Sequence, residues 1–499
     1  MNLKYRYVKN SLHNVSGWAW LAIVNIVTTP YIFHKLGYEQ YGILSLVLMV
    51  LGYFAFLDFG LGDAVIKYVA HYYALKDYDK INKIVSSIFL LFMAVGILGG
   101  LLIYLFTRYF VIDLFKIPLE YRSNALYCFY IAAFGFFLNL VFAVISKMPE
   151  AIQRFDISNI INILIGTFVN IANVAVLYLG YGLREMIIVN LIAAIFGIAI
   201  FYISVKKIIP EFRILFHFSI QDMKEVFNFG LYTVFTKFSS IISQSINQII
   251  VGVILGPSGV SILNIPSKLI SRFQSFIYKI SYAIFPMTSE LSALNDVARI
   301  EKICIRLSKY IYMISSIFFI VLIAYSKSIL NYWMGNDFSQ KAYLPTIIIS
   351  VALYIVSITM VPSLIAIGMG KPRYNAIFSF GGTMVNILLV YPLTKTYGIT
   401  GSAISFLIGS LNSLYFIIII NKRVLNISNS RYILNVFGRI TLMNICFLGL
   451  FILLQRYSVH NILSFIIVLI LSGIAMMITL YRFGLLQEDR DMIRGVVFK

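Results

Sequence analysis

The sequence LGYEQYGIL at residues 36–44 returns as LGPSGVSIL at residues 255–263, a shift of 219 positions. Each match on its own is short. Three further pairs repeat at shifts of 219, 216 and 216, and a near-constant spacing across a chain is typical of an internal duplication. These pairs are Arg154-Phe155-Asp156 with Arg373-Tyr374-Asn375, Val169-Asn170-Ile171 with Val385-Asn386-Ile387, and Tyr181-Gly182 with Tyr397-Gly398.

The segments around these repeated stretches are strongly apolar. Of the 499 residues, 60% are hydrophobic and only 12% are charged, which is about half the charge of an ordinary soluble domain. A bilayer is crossed by a helix of about 20 apolar residues, and the sequence contains fourteen such candidate spans. They lie near residues 14–34, 41–62, 84–107, 123–146, 157–180, 185–205, 229–255, 259–285, 303–326, 343–368, 375–394, 400–421, 434–455 and 461–483.

Six spans separate the two members of each repeated pair, so both copies cross the membrane in the same direction. Such parallel repeats are related by an axis along the membrane normal. The sequence therefore predicts an all-α polytopic membrane protein in which two six-helix bundles face each other across a central cleft. We predict the first bundle at 1–206, a cytoplasmic amphipathic linker helix at 207–227, the second bundle at 228–423, and helices 13 and 14 with a tail at 424–499.

The basic residues predict the orientation of the chain. An even number of spans places both termini on one side, and most of the 40 lysines and arginines fall in loops on that side. Because cytoplasmic loops are enriched in Lys and Arg, both termini are predicted to be cytoplasmic. In so apolar a chain the net charge of +20 indicates contact with anionic membrane lipids, and we expect no nucleic-acid partner.

Cations at membrane depth form the first part of a candidate site. Placing an ionisable side chain there costs about 2.5–3.5 kcal/mol or more, so such residues usually face a wet cavity or a partner. Lys268, Arg272 and Lys279 share one face of helix 8, and Lys237 lies on helix 7. Lys and Arg complement phosphate, so we predict that these four residues hold a pyrophosphate. The alternative for Lys268 and Lys279 is that they extend to the head groups.

Polar uncharged side chains form the second part of the candidate site. They suit sugar hydroxyls, and an indole ring can stack on a sugar face. The alternative role for the amides is hydrogen bonding between helices. The predicted sugar contacts are Trp18, Asn25, Gln244, Asn247 and Gln248.

Two arginines that match across the repeat, Arg154 and Arg373, are predicted at the cytoplasmic mouth, with simple membrane anchoring as the alternative.

Acidic residues are scarce, and this limits the possible chemistry. Asp58 and Asp63 are candidates for coupling to a proton or a sodium ion, although Asp63 could equally form a structural ion pair with Lys67. We expect no cofactor and no bound metal. A phosphate-binding loop for ATP hydrolysis is absent from the sequence, since Gly370-Lys371 is followed by proline and lacks the preceding glycine.

Five stretches give the chain a family resemblance: YIFHKLGYEQYGILSL (31–46), LDFGLGDAVIKYVAHYYALKD (57–77), PEAIQRFDISNI (149–160), NYWMGNDF (331–338) and YGITGSAIS (397–405). The chain resembles the polysaccharide transporter branch of the multidrug/oligosaccharidyl-lipid/polysaccharide (MOP) exporter superfamily, and within it the Wzx-type flippases for O-antigen and capsule repeat units. The resemblance implies two six-helix bundles arranged in a V with two extra helices. It also implies basic residues in a central cavity, which Lys268 and Arg272 match, whereas helix 1 carries Asn25 in place of an arginine.

The function implied by the resemblance is export of a lipid-linked oligosaccharide by alternating access. Undecaprenyl-pyrophosphate-linked repeat units would pass from the cytoplasmic to the outer leaflet of the bacterial inner membrane, for O-antigen, lipopolysaccharide or capsule synthesis. The candidate partners are this substrate, membrane lipids, a polysaccharide polymerase and a chain-length regulator. Two alternatives stay open: a multidrug antiporter of the same superfamily, and a membrane-embedded glycosyltransferase that would use Asp77-Tyr78-Asp79 or Asp489-Arg490-Asp491.

Overall fold

The computed structural model describes residues 3–54, 61–152, 154–282, 284–425, 427–458 and 461–485 and positions 487 and 490, with side chains except at 3–16, 52–54, 61–64, 67, 220–244, 286, 293 and 456–458. All regular elements of these residues are helices, so the predicted all-α class is confirmed. Ten helices in the described part are long and apolar enough to cross a membrane. Each of the fourteen predicted spans overlaps a helix.

The chain divides into two compact units, Met1–Ser261 and Ile262–Lys499. Within the first unit α3 packs on α4, α4 on α6, and α1 on α5. The first unit contains α1 (Leu3–Phe54), α2 (Leu61–Ala74), α3 (Tyr78–Arg108), α4 (Leu119–Ala151), α5 (Phe155–Tyr178), α6 (Leu183–Ile208) and the first part of α7 (Ile220–Ser281).

Two of the long helices are bent at glycines that the repeat aligns. Gly37 in α1 has φ 74° and ψ 179°, and Gly256 in α7 has φ 72° and ψ −170°. This left-handed region is open to glycine at little cost but strained for other residues. The two matched positions therefore share one backbone conformation, and each separates two of the predicted spans.

The boundary between the two units falls inside α7 and not at the predicted linker. The part of α7 that precedes the boundary packs on the first unit. A Cβ built at Gly252 would lie 3.0 Å from Leu46 Cδ2 and 3.1 Å from Phe115 Cδ1, and the Ser261 hydroxyl hydrogen-bonds within the same unit. These contacts account for the grouping of residues 245–261 with the preceding helices.

The amphipathic helix predicted at 207–227 is wrong for residues 209–219, which follow α6 without forming a helix. This segment runs along α3, where three polar side chains bind its backbone: Asn82 binds residues 211 and 213, Ser86 binds 215, and Ser87 binds 217 and 219. Its peptide groups thus find partners without helical hydrogen bonds. Helical structure resumes at Ile220, where α7 begins.

The second unit holds the remainder of the chain. α9 packs on α10, and α10 on α12. A glycine in the left-handed region, Gly398 with φ 60°, bends α12 between two predicted spans. After the end of α7, the unit contains α8 (Ile284–Ala293), α9 (Val297–Met334), α10 (Asn336–Ile358), α11 (Met360–Gly368), α12 (Pro372–Ile420), α13 (Asn429–Ile433), α14 (Arg439–Ser458) and α15 (Ile462–Thr479).

Polar contacts join α9 to the C-terminal helices along the whole length of the span. Arg431 pairs with Glu301 at 2.7 Å, just before α14 begins. The hydroxyls of Tyr312 and Thr441 lie 2.9 Å apart, Asn444 donates to Ser316 at 2.9 Å, and Gln455 donates to Ser328 at 2.8 Å. Residue numbers increase together in both helices, so α9 and α14 run parallel.

Candidate functional site

The predicted sugar contacts on α1, Trp18 and Asn25, lie near residues of the same helix that bind α5. Trp20 donates to Thr167 at 2.9 Å and Thr28 to Asn170 at 3.0 Å, so these side chains face α5. Trp18 and Asn25 are half-buried and lie roughly 60° or more around the helix from Thr28, at 100° per residue. The Asn25 amide donates to the Leu21 carbonyl at 2.6 Å.

The first part of α7 carries the predicted amides. Asn247 is buried, with 7% of its surface exposed, and Gln248 is half-buried. The side chains of Lys237 and Gln244 lie outside the described residues. All four residues belong to one helix, and the predicted sugar or pyrophosphate contact of each stays a prediction.

The internal repeat pairs the polar residues of α1 with those of α7. The short sequence motifs alone do not show this relationship. Subtracting 219 from the α7 positions gives polar or aromatic residues on α1. The pairs are Trp18 with Lys237, Asn25 with Gln244, Thr28 with Asn247 and Thr29 with Gln248. Thr28 thereby joins the candidate set, and the signal that would have found it was the repeat itself.

The second part of α7 brings the three predicted cations onto one face. Lys268 is exposed, and Arg272 and Lys279 are half-buried; the three positions fall within about 40° of one another around the helix. Leu269, Ile270 and Ile277 are buried against the unit. The cation face is therefore less buried than the face that carries Leu269, Ile270 and Ile277.

Hydroxyl groups accompany the cations and were not predicted. Ser271 donates to the Lys268 carbonyl at 3.0 Å, and Ser275 donates to the Ser271 carbonyl at 2.8 Å. Both serines lie beside the cation face, one turn apart. In the first repeat the positions that match Lys268 and Arg272 are Met49 and Tyr53, so only the second repeat carries this charge.

The two matched arginines have different surroundings. Arg154 makes a two-pronged ion pair with Asp156, with Nε–Oδ1 and Nη2–Oδ2 distances of 3.0 Å. The hydrogen bond to the Asp156 side chain raises the pKa of Arg154, which keeps the guanidinium charged. Arg373 instead lies over the Tyr374 ring, 5.2 Å from its centroid.

Asn375 stands in the second copy at the position where the first copy has Asp156, and it forms different hydrogen bonds. Asn375 donates to the Ser363 hydroxyl at 2.8 Å and to the Ser363 carbonyl at 3.0 Å. It therefore joins α12 to α11 instead of binding the neighbouring arginine. The predicted role of both arginines at a cytoplasmic mouth stays a prediction.

The predicted coupling acids cannot be placed. Asp58 and the side chain of Asp63 lie outside the described residues, as does the side chain of Lys67. Among the residues that are described, no group of three or more His, Cys, Asp or Glu side chains is arranged to hold a metal ion.

Comparison with known proteins gives the family. A family model described as polysaccharide biosynthesis protein matches residues 7–292, more than half of the chain. The "Putative O-antigen transporter" of Shigella flexneri is 21% identical over 401 residues, which cover 80% of this chain and 94% of that protein. The "Uncharacterized membrane protein EpsK" of Bacillus subtilis is 20% identical over 420 residues, 81% of each chain.

Solved structures give the fold. The lipid II flippase MurJ in an inward closed conformation matches with a TM-score of 0.71 and 16% identity, over 95% of this chain and 99% of that chain. An inward-facing multidrug resistance MATE family transporter of the MOP superfamily matches with a TM-score of 0.71 and 14% identity, over 83% and 99%. The resemblance seen in the sequence is confirmed: the chain belongs to the polysaccharide biosynthesis protein family and has the fold of MOP superfamily transporters.

Proposed function

We propose that this protein is a flippase and not an enzyme, and that it moves undecaprenyl-pyrophosphate-linked oligosaccharide from the cytoplasmic to the outer leaflet of the bacterial inner membrane. It would work by alternating access, with both termini in the cytoplasm. The repeat units would serve O-antigen or another surface polysaccharide, and a polymerase and a chain-length regulator are the proposed partners. The fold is shared with drug exporters, so the fold alone does not separate a flippase from a drug exporter. The choice between these two functions depends on the family of the chain and on its side chains.

The observation that carries the proposal is the cation face of α7. Lys268, Arg272 and Lys279 lie together on one exposed to half-buried face, within a helix that is long and apolar enough to cross a membrane. Leaving three cations in hydrocarbon would be very costly. A pyrophosphate group would offset their charge, and an arginine can bind it through two parallel hydrogen bonds.

The physical task fits such a face. A pyrophosphate carrying several sugars cannot cross hydrocarbon without polar partners, whereas its prenyl tail is at home there. The cations would hold the pyrophosphate, with Lys237 as a fourth donor. Polar side chains would contact the sugars while the tail stays in lipid. These are Trp18, Asn25, Gln244, Asn247 and Gln248, and Thr28 is added through the repeat.

The decisive experiment uses cells that lack this protein, complemented with plasmid-borne variants. Lipid-linked oligosaccharide is extracted and assigned to a leaflet. Complete repeat units should accumulate on the cytoplasmic leaflet, and the natural sequence should restore export. Arg272→Glu should leave export at the level of the empty plasmid, whereas Arg272→Lys should retain part of it because the charge stays but the two-pronged geometry is lost.

The matched control is Lys395→Glu, which reverses an exposed cation of the same unit away from the cation face. Normal export by Arg272→Glu, with Lys395→Glu also normal, would overturn the site. Truncated repeat units in the deletion strain would indicate glycosyl transfer. Unchanged lipid pools together with altered drug sensitivity would indicate a drug antiporter.

A further inference from the structure

The segment that joins α6 to α7 is fixed to α3 in a way that resembles strand pairing. The Asn82 amide group donates to the Glu211 carbonyl at 2.9 Å, and its oxygen accepts from the Arg213 N–H at 2.9 Å. The Ser86 hydroxyl accepts from the Leu215 N–H at 2.8 Å. Alternate residues of an extended chain present their backbone groups to one side, and here that side faces α3.

Ser87 completes this series of contacts. Its hydroxyl donates to the His217 carbonyl and accepts from the Ser219 N–H, both at 3.3 Å. Polar groups at five alternate positions, 211 to 219, are therefore held by three side chains of one helix. We call residues 211–219 the strap.

The strap runs from the aqueous end of α3 toward the apolar part of the same helix. Asn82 precedes Lys83, the last charge before a long apolar run, whereas Ser86 lies about 6 Å further along the axis, at 1.5 Å per residue. The charged residues Glu211 and Arg213 lie at the level of Asn82. The apolar end of the strap begins at the level of Ser86, where the span enters hydrocarbon.

The apolar end of the strap is exposed although its backbone is fixed. Phe216 is 100% exposed, Phe218 52% and Leu215 38%, whereas Phe212 is fully buried and lies beside Tyr202. A fully exposed and a half-exposed phenylalanine at the end of a membrane-spanning helix are typical of side chains that occupy the bilayer interface.

Basic residues lie at the polar end of the strap, just before its apolar end. Lys207, Arg213 and Lys83 are exposed, and Lys206 donates to the Pro210 carbonyl at 3.2 Å. Glu211 is the single acid of the strap. A cluster of cations beside interfacial aromatic residues favours a surface rich in anionic phospholipid.

We infer that the strap is a membrane-surface anchor. Leu215, Phe216 and Phe218 enter the interface of the adjacent leaflet, and Lys83, Lys207 and Arg213 contact the phosphates of anionic lipids. The anchor holds the connection between the two repeats at a fixed depth. This inference does not depend on the substrate that the protein transports.

The test measures the depth of the strap with a fluorophore. Cys128 and Cys304 are fully buried, so replacing the exposed Cys446 by serine leaves little background labelling. In that background, Phe216→Cys and Glu211→Cys are each labelled with NBD and placed in vesicles that contain phosphatidylcholine or phosphatidylglycerol with brominated acyl chains. Bromine should quench the label at position 216 at least roughly three times as strongly as the label at position 211.

The lipid head group supplies the second readout. At equal bromine content, brominated phosphatidylglycerol should quench the label at 216 more than brominated phosphatidylcholine, because the cations enrich anionic lipid around the strap. Equal quenching by both lipids would overturn the phosphate contacts. Equal quenching at 216 and 211, or shielding of 216 that appears only when cytoplasmic proteins are added, would overturn the anchor in favour of a protein-binding surface.

A second variant tests the role of α3 without altering the strap. Replacing Ser86 and Ser87 together by alanine removes the contacts to the apolar end and keeps every aromatic and basic residue. The difference in quenching between positions 216 and 211 should fall while the protein still elutes as one species. An unchanged difference would show that the two serines of α3 do not set the depth of the strap.

Discussion

The hydroxyl of Ser261 donates a hydrogen bond of 2.5 Å to the backbone carbonyl of Tyr38, and this contact joins the two stretches that the sequence repeats. Tyr38 follows the bend at Gly37, and Ser261 lies shortly after the bend at Gly256. The surrounding side chains are tightly packed, since Ile43, Leu46, Val251 and Val260 are fully buried. Two equivalent bends therefore meet through buried apolar side chains and this hydrogen bond.

Gly42 should be intolerant of any side chain. A Cβ at this position would lie 1.9 Å from the Pro257 carbonyl oxygen, whose backbone cannot move aside easily. We expect Gly42→Ala to cost about 1–3 kcal/mol, the usual effect of overpacking, and to lower the midpoint of thermal unfolding in detergent. Gly135→Ala is the control, because nothing lies within 4 Å of a Cβ built there. Equal midpoints for both variants would contradict the close approach.

Asn444 should be the residue that holds α14 most firmly. It is 4% exposed and donates to Ser316 and Tyr354 at 2.9 and 3.0 Å. Hydrogen bonds between helices in a bilayer contribute about 0.6 to 2 kcal/mol, so Asn444→Ala should lower the unfolding midpoint. Asn435→Ala should leave it unchanged, since that exposed amide bonds only to the Arg431 carbonyl of its own segment. A midpoint equal to that of the natural sequence would rule out this role for Asn444.

The cation face should be detectable as a binding site without a transport assay. Undecaprenyl pyrophosphate at a hundred times its Kd should stabilise the natural sequence by about 2.7 kcal/mol. This stabilisation raises the midpoint of thermal unfolding. The triple variant Lys268→Gln, Arg272→Gln, Lys279→Gln should lose the rise, whereas Lys395→Gln should keep it. The same rise in the triple variant would place the pyrophosphate elsewhere.

The two matched arginines should differ in their effect on export. Arg154 is neutralised by Asp156, whereas Arg373 stacks on Tyr374, so Arg373→Gln should reduce export several-fold more than Arg154→Gln. A larger loss in Arg154→Gln would reverse this assignment. Both variants are compared at equal amounts in the membrane.

The Arg154 pair should add no pH dependence to stability. Its hydrogen bond to Asp156 raises the pKa of Arg154. A raised pKa stabilises the fold fully below the ordinary pKa of arginine, which lies far above neutral pH, and this effect is lost only as the pH rises beyond it. The difference in unfolding midpoint between the natural sequence and Arg154→Gln should therefore stay constant between about pH 6 and 9. A difference that changes over this range would require another titrating partner.

The sequence predicts the helices because they depend on local properties. Long apolar runs require helices in lipid, whereas the bends at Gly37 and Gly256 come from the structure. The strap could not be predicted in this way. The polar and apolar residues of the predicted linker fit an amphipathic helix, and the partners that hold the strap out of a helix, such as Asn82, lie about 130 residues earlier.

In the candidate site, too, local spacing can be predicted from the sequence, whereas contacts with other residues cannot. The spacing of Lys268, Arg272 and Lys279 is enough to place them on one face of a helix. The partners of Arg154 and Arg373 depend on single differences between the copies, Asp156 against Asn375, whose effect on contacts the spacing does not reveal. The role of Thr28 becomes visible only when the repeat register is applied to the polar residues.

The unequal charge of the two copies has a consequence for how such a transporter can diversify. Met49 and Tyr53 stand where the second copy has Lys268 and Arg272, so one duplicated half has kept or gained cations and the other has not. In a protein that acts as proposed, recognition of the constant lipid carrier rests on the second half. The first half is then free to vary with the sugar, and new glycan specificities can arise without loss of the shared anchor group.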